Sequence, residues 1–303
     1  PKGTPVTLPR PEPESPLLAL AIRPKSKGDE DKLMTGLHRL QDEDPALTVE
    51  RVDETHQTIL RGTGETHLAV SAERLQRKFG VELETEEVLV PYRETISKQA
   101  DAEGKYKKQT GGHGQFGVAS IRIEPLERGE GFHFVDQVVG GAIPKQYIPA
   151  VEKGVMEAMT MGGVHGYPVV DVQVTCYDGK YHSVDSSEMS FKMAGSMAFK
   201  EAMVSAGPVL LEPISRLEVT VPAAMQGDIL GDLNSRRGRV QGTDTLDGGF
   251  QQITVLVPTS EIQRYAVDLR SLTGGRGRFR VEHDHYDVVP SNLVDRLVKA
   301  KDN

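Results

Sequence analysis

Two polar segments rich in glycine and serine carry the residue types best suited to chemistry. Residues 110–117 read TGGHGQFG and hold His113 and Gln115 among Gly111, Gly112, Gly114 and Gly117. Residues 178–188 read DGKYHSVDSSE and set His182 beside Asp185, Ser186 and Ser187. Gly112, Gly114 and Gly117 also spell G-x-G-x-x-G, which lets a backbone approach pyrophosphate. That fingerprint requires an apolar strand before it and a helix after it. Here the polar run KYKKQ precedes and the alternating VASIRIEPL follows. Glycine at this density disfavours helix and strand alike, so the segment reads as a loop joining two strands. Two tips bearing amide, imidazole and hydroxyl groups suit hydrogen bonding to a polar ligand. Gln115 equally suits a solvated turn, and His182 a local cap on Asp185 or the serines.

Clustered cations supply a third candidate. Arg270, Ser271 and Arg276 stand with Arg278 and Arg280 around the glycines of SLTGGRGRFR, while Arg236, Arg237 and Arg239 crowd the end of a helical pattern. Arginines there commonly relieve the helix dipole in solvent, but their forks also fit RNA phosphates. Lys105, Lys107 and Lys108 flank the first tip and suit phosphate contacts. A net charge of -8 excludes a generally cationic coat, so any RNA contact is local. His283 and His285 share one strand face without a third ligand at metal spacing, and no metal site is expected. Cys176, the single cysteine, lies in a β-rich run and reads as a small buried hydrophobe in a reducing cytoplasm. No stretch approaches the roughly 20 apolar residues of a membrane span, and the opening residues lack a signal-peptide pattern.

These residues need elements to hold them. With 303 residues, 37% hydrophobic and 26% charged, the chain can bury ordinary cores and divide into about two or three domains. After a Pro-rich lead, PLLALAIRP predicts a strand and residues 29–41 a helix with Leu33, Leu37 and Leu40 on one face. Strands LTVERVD and 57–61 follow, then a helix over 65–79 stopped by Gly80, then strand VELETEEVLV. The order β-α-β-β-α-β recurs from SRLEVTVP to GRFRVEHDH, with helices over 223–235, closed by Gly238, and 260–271. Such split βαβ units form ferredoxin-like domains, which specify no function. The segment between them has strand patterns to Ile123 and again to Tyr177. Val151, Val155, Ala158 and Met159 fall at helical spacing. A second helix over 189–205 carries Met189, Met193, Met197 and Met203, read as core filler.

The runs EGKYKKQTGGHGQFG, GGAIPKQYIPAVEKGVMEAM, YDGKYHSVDSSEMSFKMAGSMAFKEA, LEPISRLEVTVP, GDILGDLNSRRGRVQG and YAVDLRSLTGGRGRF resemble the last three domains of bacterial translation elongation factor G. The resemblance implies an α+β chain with ferredoxin-like domains over 17–93 and 212–290. Between them it implies a ribosomal-protein-S5-domain-2-like α/β domain over 94–211 with a left-handed βαβ crossover. The hand comes from the resemblance, since most crossovers are right-handed. Residues 1–16 would be a linker from a barrel domain and 291–303 a C-terminal helix.

The same resemblance implies partners: the ribosome, tRNA and mRNA. Gly112, His113, Gly114, Gln115, His182, Asp185 and Ser186 would face tRNA and mRNA in the small-subunit decoding site, with Lys105, Lys107 and Lys108 near phosphates. Arg270, Ser271 and Arg276 would face the sarcin-ricin loop of large-subunit RNA. A wide, shallow RNA minor groove suits contact that ignores sequence. His113 stands where the family usually carries Arg, and Thr63 and Thr66, in the turn formed by Gly62, Gly64 and Glu65, where it usually has apolar residues. Hydroxyls there need partners if buried.

No G-x-x-x-x-G-K-[ST] loop and no N-K-x-D motif occur in the sequence, so the chain is expected to lack catalytic residues and cofactors. GTP and Mg2+ would belong to a missing N-terminal region, and the chain to a truncated, monomeric, cytoplasmic portion. The implied function is GTP-dependent translocation of tRNA and mRNA. Alternatives are a paralogue in ribosome recycling or ribosome protection and, more remotely, a nucleotide-binding enzyme on a left-handed βαβ fold. Calorimetric titration of the chain with ATP and GTP is expected to give no binding heat; saturable binding would favour the enzyme.

Overall fold

The computed structural model describes residues 18–52, 54–110 and 113–301, the side chains of residues 110, 113, 300 and 301 excepted. The expected linker, residues 1–16, lies outside the described residues. Strand β1 (Leu18–Pro24), helix α1 (Glu30–Glu43), strands β2 (Thr48–Val52) and β3 (Gln57–Gly62), helix α2 (Glu65–Phe79) and strand β4 (Leu83–Glu86) form the first domain. Its antiparallel sheet has the order β2-β3-β1-β4. Leu33, Leu37 and Leu40 of α1 meet Leu68 and Leu75 of α2 over Leu18, Ile22 and Leu60. Gly80 ends α2 at φ 68, where a Cβ is disfavoured. The strand expected over 81–90 is confined to β4. Past it, the Gln57 side chain takes over the ladder, donating to Glu87 O at 2.9 Å and accepting from Leu89 N at 2.8 Å.

The middle segment contains β5 (Arg93–Ile96), β6 (Ala100–Thr110), β7 (His113–Pro125), β8 (Phe132–Asp136), helix α3 (Ile148–Met161), β9 (Val172–Lys180) and helix α4 (Glu188–Ser205). The sheet order is β6-β7-β9-β8; β8 and β9 run parallel, with α3 as their crossover. Alternate residues Ile121, Ile123, Val172, Val174 and Cys176 bury against Val151, Val155 and Ala158 of α3 and Phe191, Ala194, Ala198 and Phe199 of α4. A Cβ on Gly104 of β6 would overlap the Ala194 carbonyl oxygen, and one on Gly154 of α3 would overlap that of Lys192. Helix α4 therefore touches the sheet on one side and α3 on the other through bare backbone.

That closeness overturns the reading of the methionines as core. Met203 is buried, but Met189, Met193 and Met197 are 54%, 37% and 43% exposed. They lie one residue, about 100° around the helix, from Ser190, Ala194 and Ala198, whose small side chains turn to the core. Cys176 is fully buried as expected, and burial, helped by the Asp136 and Asp178 carboxylates, pushes its thiol up to about 12.

The second βαββαβ pattern comprises β10 (Pro208–Pro222), α5 (Gln226–Ser235), β11 (Arg239–Leu246), β12 (Phe250–Pro258), α6 (Tyr265–Thr273) and β13 (Arg278–Val288), in sheet order β11-β12-β10-β13. Helix α7 (Ser291–Lys301) follows. Pro208 to Leu211 of β10 pair with β5, and Ile214 to Pro222 with β12. Gly238, expected to close α5, does not itself take the left-handed conformation there. Arg237 does, at φ 61, while Gly238 donates to Leu233 O at 2.9 Å in a space that admits no Cβ.

The described chain falls into two compact units, one within Pro1–Pro91 and Ile214–Asp284, the other within Tyr92–Pro213 and His285–Asn303. Both ferredoxin-like folds thus share a unit. Helix α6 joins them: Ala266 and Val267 pack on the first domain's core, and Gln263 Nε2 donates to Val88 O at 2.5 Å. Gly104→Ala is expected to destabilise the middle unit by about 3 kcal/mol, because neither backbone can yield. Gly242→Ala, whose Cβ meets nothing within 4 Å, is expected to change stability by less than about 0.5 kcal/mol. Denaturant unfolding measures both.

Candidate nucleic-acid interface

The first tip is a hairpin end. Strands β6 and β7 pair from Ala100↔Ile123 to Thr110↔His113, leaving two residues to join them. Gly112 and the His113 side chain lie outside the described residues. Gly114, Gln115 and Gly117, expected in a loop, belong to β7 and pair with Gln109, Lys108 and Tyr106. The strand tolerates these glycines because neighbours occupy the space of their side chains. A Cβ on Gly117 would meet the Ser190 carbonyl oxygen at 2.9 Å, and one on Gly114 the Asp185 carboxylate at 3.0 Å.

The second tip is bolted to the first. Asp185 Oδ1 accepts from Gly114 N at 3.1 Å and Asp185 O from Phe116 N at 2.8 Å. Ser186 Oγ donates to Phe116 O and accepts from His182 N, both at 2.8 Å. The ring of His182 meets Phe116 edge to face with centroids 6.4 Å apart. Its Nδ1 lies 3.3 Å from Val184 N and 3.2 Å from Asp185 N. Backbone amides only donate, so in the neutral ring Nδ1 accepts and Nε2 carries the proton. Asp185 Oδ2, 3.4 Å from Nδ1, competes poorly against two amides. The ring is 55% exposed, and Nε2 has no partner among the described residues. His182 therefore caps its own loop with one nitrogen and offers a donor to solvent with the other.

Gln115 is held too: its Oε1 accepts from Tyr106 Oη at 3.0 Å, leaving the amide NH2. Register puts Lys108 beside Gln115, whereas Lys105 and Lys107 alternate to the other face of the hairpin. All three lysines are exposed, but they do not converge.

Arg270, Ser271 and Arg276 are exposed around the end of α6. Gly274 and Gly275 take φ 57 and 78. Buried Thr273 ties the loop, donating to Leu269 O at 2.7 Å and accepting from Gly277 N at 2.8 Å. Arg276 bonds Thr273 O at 3.3 Å, and Arg270 the Thr63 carbonyl of the first domain at 3.4 Å. Arg236, by contrast, is spent inside the fold on Asp232, Asp268 and Glu261 O at 2.8 to 3.1 Å, with its guanidinium 5.2 Å from the Tyr265 ring centre.

Sequence reasoning missed Tyr106 and Tyr147. The alternation of β6, which puts Tyr106 on the Gln115 face, was a usable signal. Tyr147 was not legible: it stacks on Phe191 at 5.1 Å and reaches Ser186 O at 3.4 Å from a distant segment. Among the described residues no group of three or more His, Cys, Asp or Glu side chains could hold a metal, and no helix is long and apolar enough to cross a membrane.

Family profiles match the chain in order: Elongation Factor G, domain III at residues 13–87, Elongation factor G, domain IV at 89–207 and Elongation factor G C-terminus at 209–297. Among solved structures the chain is similar to a Thermus thermophilus protein known from a crystal structure. Identity is 43% and the TM-score 0.87, and the match covers 99% of this chain and 45% of that one. The chain thus spans less than half the length of this relative.

Ser186 braces both tips, so Ser186→Ala is expected to destabilise the middle unit by about 1 to 2 kcal/mol by orphaning two backbone groups. Gln115→Ala and His182→Ala, at the exposed apex, are expected to cost less than about 1 kcal/mol. Thermal unfolding ranks the three.

Proposed function

Because the chain belongs to the elongation factor G family, as its domain III, domain IV and C-terminal regions, we propose that it is the ribosome-engaging part of a GTP-dependent translocation factor in the cytoplasm. GTP hydrolysis falls to a GTPase region outside this sequence, and this part turns it into movement of tRNA and mRNA. The middle domain enters the decoding site tip first. The observation carrying this reading is the braced tip, where His182 keeps an Nε2–H donor outward while its other nitrogen is held by amides. A tip ordered before binding loses little conformational entropy on entering RNA. An imidazole N–H and the Gln115 amide bond 2'-hydroxyls and phosphates without reading bases. A factor that moves every codon needs that indifference. Arg270, Ser271 and Arg276 contact the sarcin-ricin loop of the large subunit.

One position favours a second reading. His113, where the family usually has Arg, removes a permanent cation from the tip and fits a paralogue in ribosome recycling or ribosome protection. Toeprinting on pre-translocation ribosomes separates the two, using this chain joined to a GTPase and barrel region of the family. Movement of mRNA is expected, slowed about tenfold or more by the pair Gln115→Ala and His182→Ala, equivalent to at least about 1.4 kcal/mol in the barrier. GTP turnover on ribosomes without movement would support recycling or protection instead.

A further inference from the structure

A line of polar contacts crosses the first domain and ends on Arg270. Asp44, the C-cap of α1, sets Oδ2 2.9 Å from His67 Nε2. His67 Nδ1 accepts the Thr63 amide at 3.0 Å and lies 3.2 Å from the Thr63 hydroxyl. The amide can only donate, so Nδ1 is bare and Nε2–H points to Asp44. Thr63, the departure from an apolar family position, thus has its hydroxyl partner, and exposed Thr66 needs none.

With its N–H turned to His67, Thr63 offers its carbonyl to Arg270 Nη2 at 3.4 Å. The next residue, Gly64, is extended at φ 169 and ψ 178, a backbone any residue adopts. Yet a Cβ there would lie 3.1 Å from Arg270 Nη1 and 3.3 Å from Nη2. The guanidinium rests against bare backbone. The helix dipole does not draw it there, because the start of α2 is its positive end, and Glu65 in that first turn lies 3.9 Å from Arg264. Nor is it neutralised: Arg236 bonds two carboxylates, whereas Arg270 pairs with none among the described residues. A cation oriented by one carbonyl and a gap keeps its charge for a phosphate.

We propose that the Thr63–Gly64 turn, tied back by His67 and Asp44, is a seat that positions Arg270 for RNA. His67 and Gly64 are then positioning residues in the first domain for a contact made by the last. The inference rests on the reading of Arg270 as an RNA ligand, and its test separates the two. The full chain and its Gly64→Ala, Arg270→Ala and doubly substituted variants are titrated with a synthetic RNA hairpin carrying the sarcin-ricin loop. The Arg270 Nε–H signal is followed by NMR without RNA. Arg270→Ala is expected to weaken binding about tenfold. Gly64→Ala should weaken it less, add nothing to Arg270→Ala and shift the Arg270 signal. His67→Ala, which unties the turn without touching Arg270, should shift the same signal. Wild-type affinity in Gly64→Ala beside a weakened Arg270→Ala overturns the seat and leaves the RNA reading standing. Wild-type affinity in Arg270→Ala overturns the RNA reading, and with it the proposed purpose of the seat. An Arg270 signal unmoved by both Gly64→Ala and His67→Ala overturns the seat whatever the RNA does.

Discussion

The approach of α4 to its neighbours without intervening side chains is the constraint on which the middle unit depends. Gly104 and Gly154 leave no room for a Cβ between α4 and the backbones of β6 and α3. Many short backbone contacts add up through dispersion and weak Cα–H···O bonds, which offsets the conformational entropy that glycine loses on folding. The tip inherits this arrangement. Gly117 admits the Ser190 carbonyl, and the Ser187 side chain caps α4 by accepting from Ser190 N at 3.2 Å. Only residues 181–187 then separate β9 from α4. So short a span, bonded to β7 through Asp185 and Ser186, has little freedom left.

The arginines of the last domain divide by the charge around them. Arg236 and Arg237 face carboxylates at 2.9 to 3.1 Å and stitch α5 to the segment before α6 and to α6 itself. Arg270 and Arg276 bond carbonyl oxygens, which orient a guanidinium without cancelling it. A chain of net charge -8 can still present a local cation in this way, and neutral partners are the sign that separates presented from structural arginines.

Element order was legible wherever one periodicity ran unbroken. Helix α2 begins and ends at the bounds, 65 and 79, that its pattern and the Gly80 stop put there. Reading failed where a residue's reason lay in another element. Gly114 and Gly117 look like loop residues until Asp185 and Ser190 are seen in the space of their side chains. Met189, Met193 and Met197 follow a helical period but mark the wrong face, because Ser190, Ala194 and Ala198 beside them turn to the core. Gly238 stands beside the left-handed residue and not at it, for its task is to let Leu233 O approach. Residue types picked out the two polar segments that the fold brings together through Asp185 and Ser186. Which nitrogen of His182 faces outward followed only from two amides placed by the fold.

The burial of Cys176 has a practical side. The single sulfhydryl of the 303-residue chain sits at 0% exposure, so it is closed to maleimides while the protein is folded. A cysteine introduced at exposed Val184 would be the sole point of attachment for a fluorophore or spin label, with no native residue to remove first. The apex of the middle unit can then carry a distance reporter, and its separation from a second label on any binding partner becomes an optical measurement.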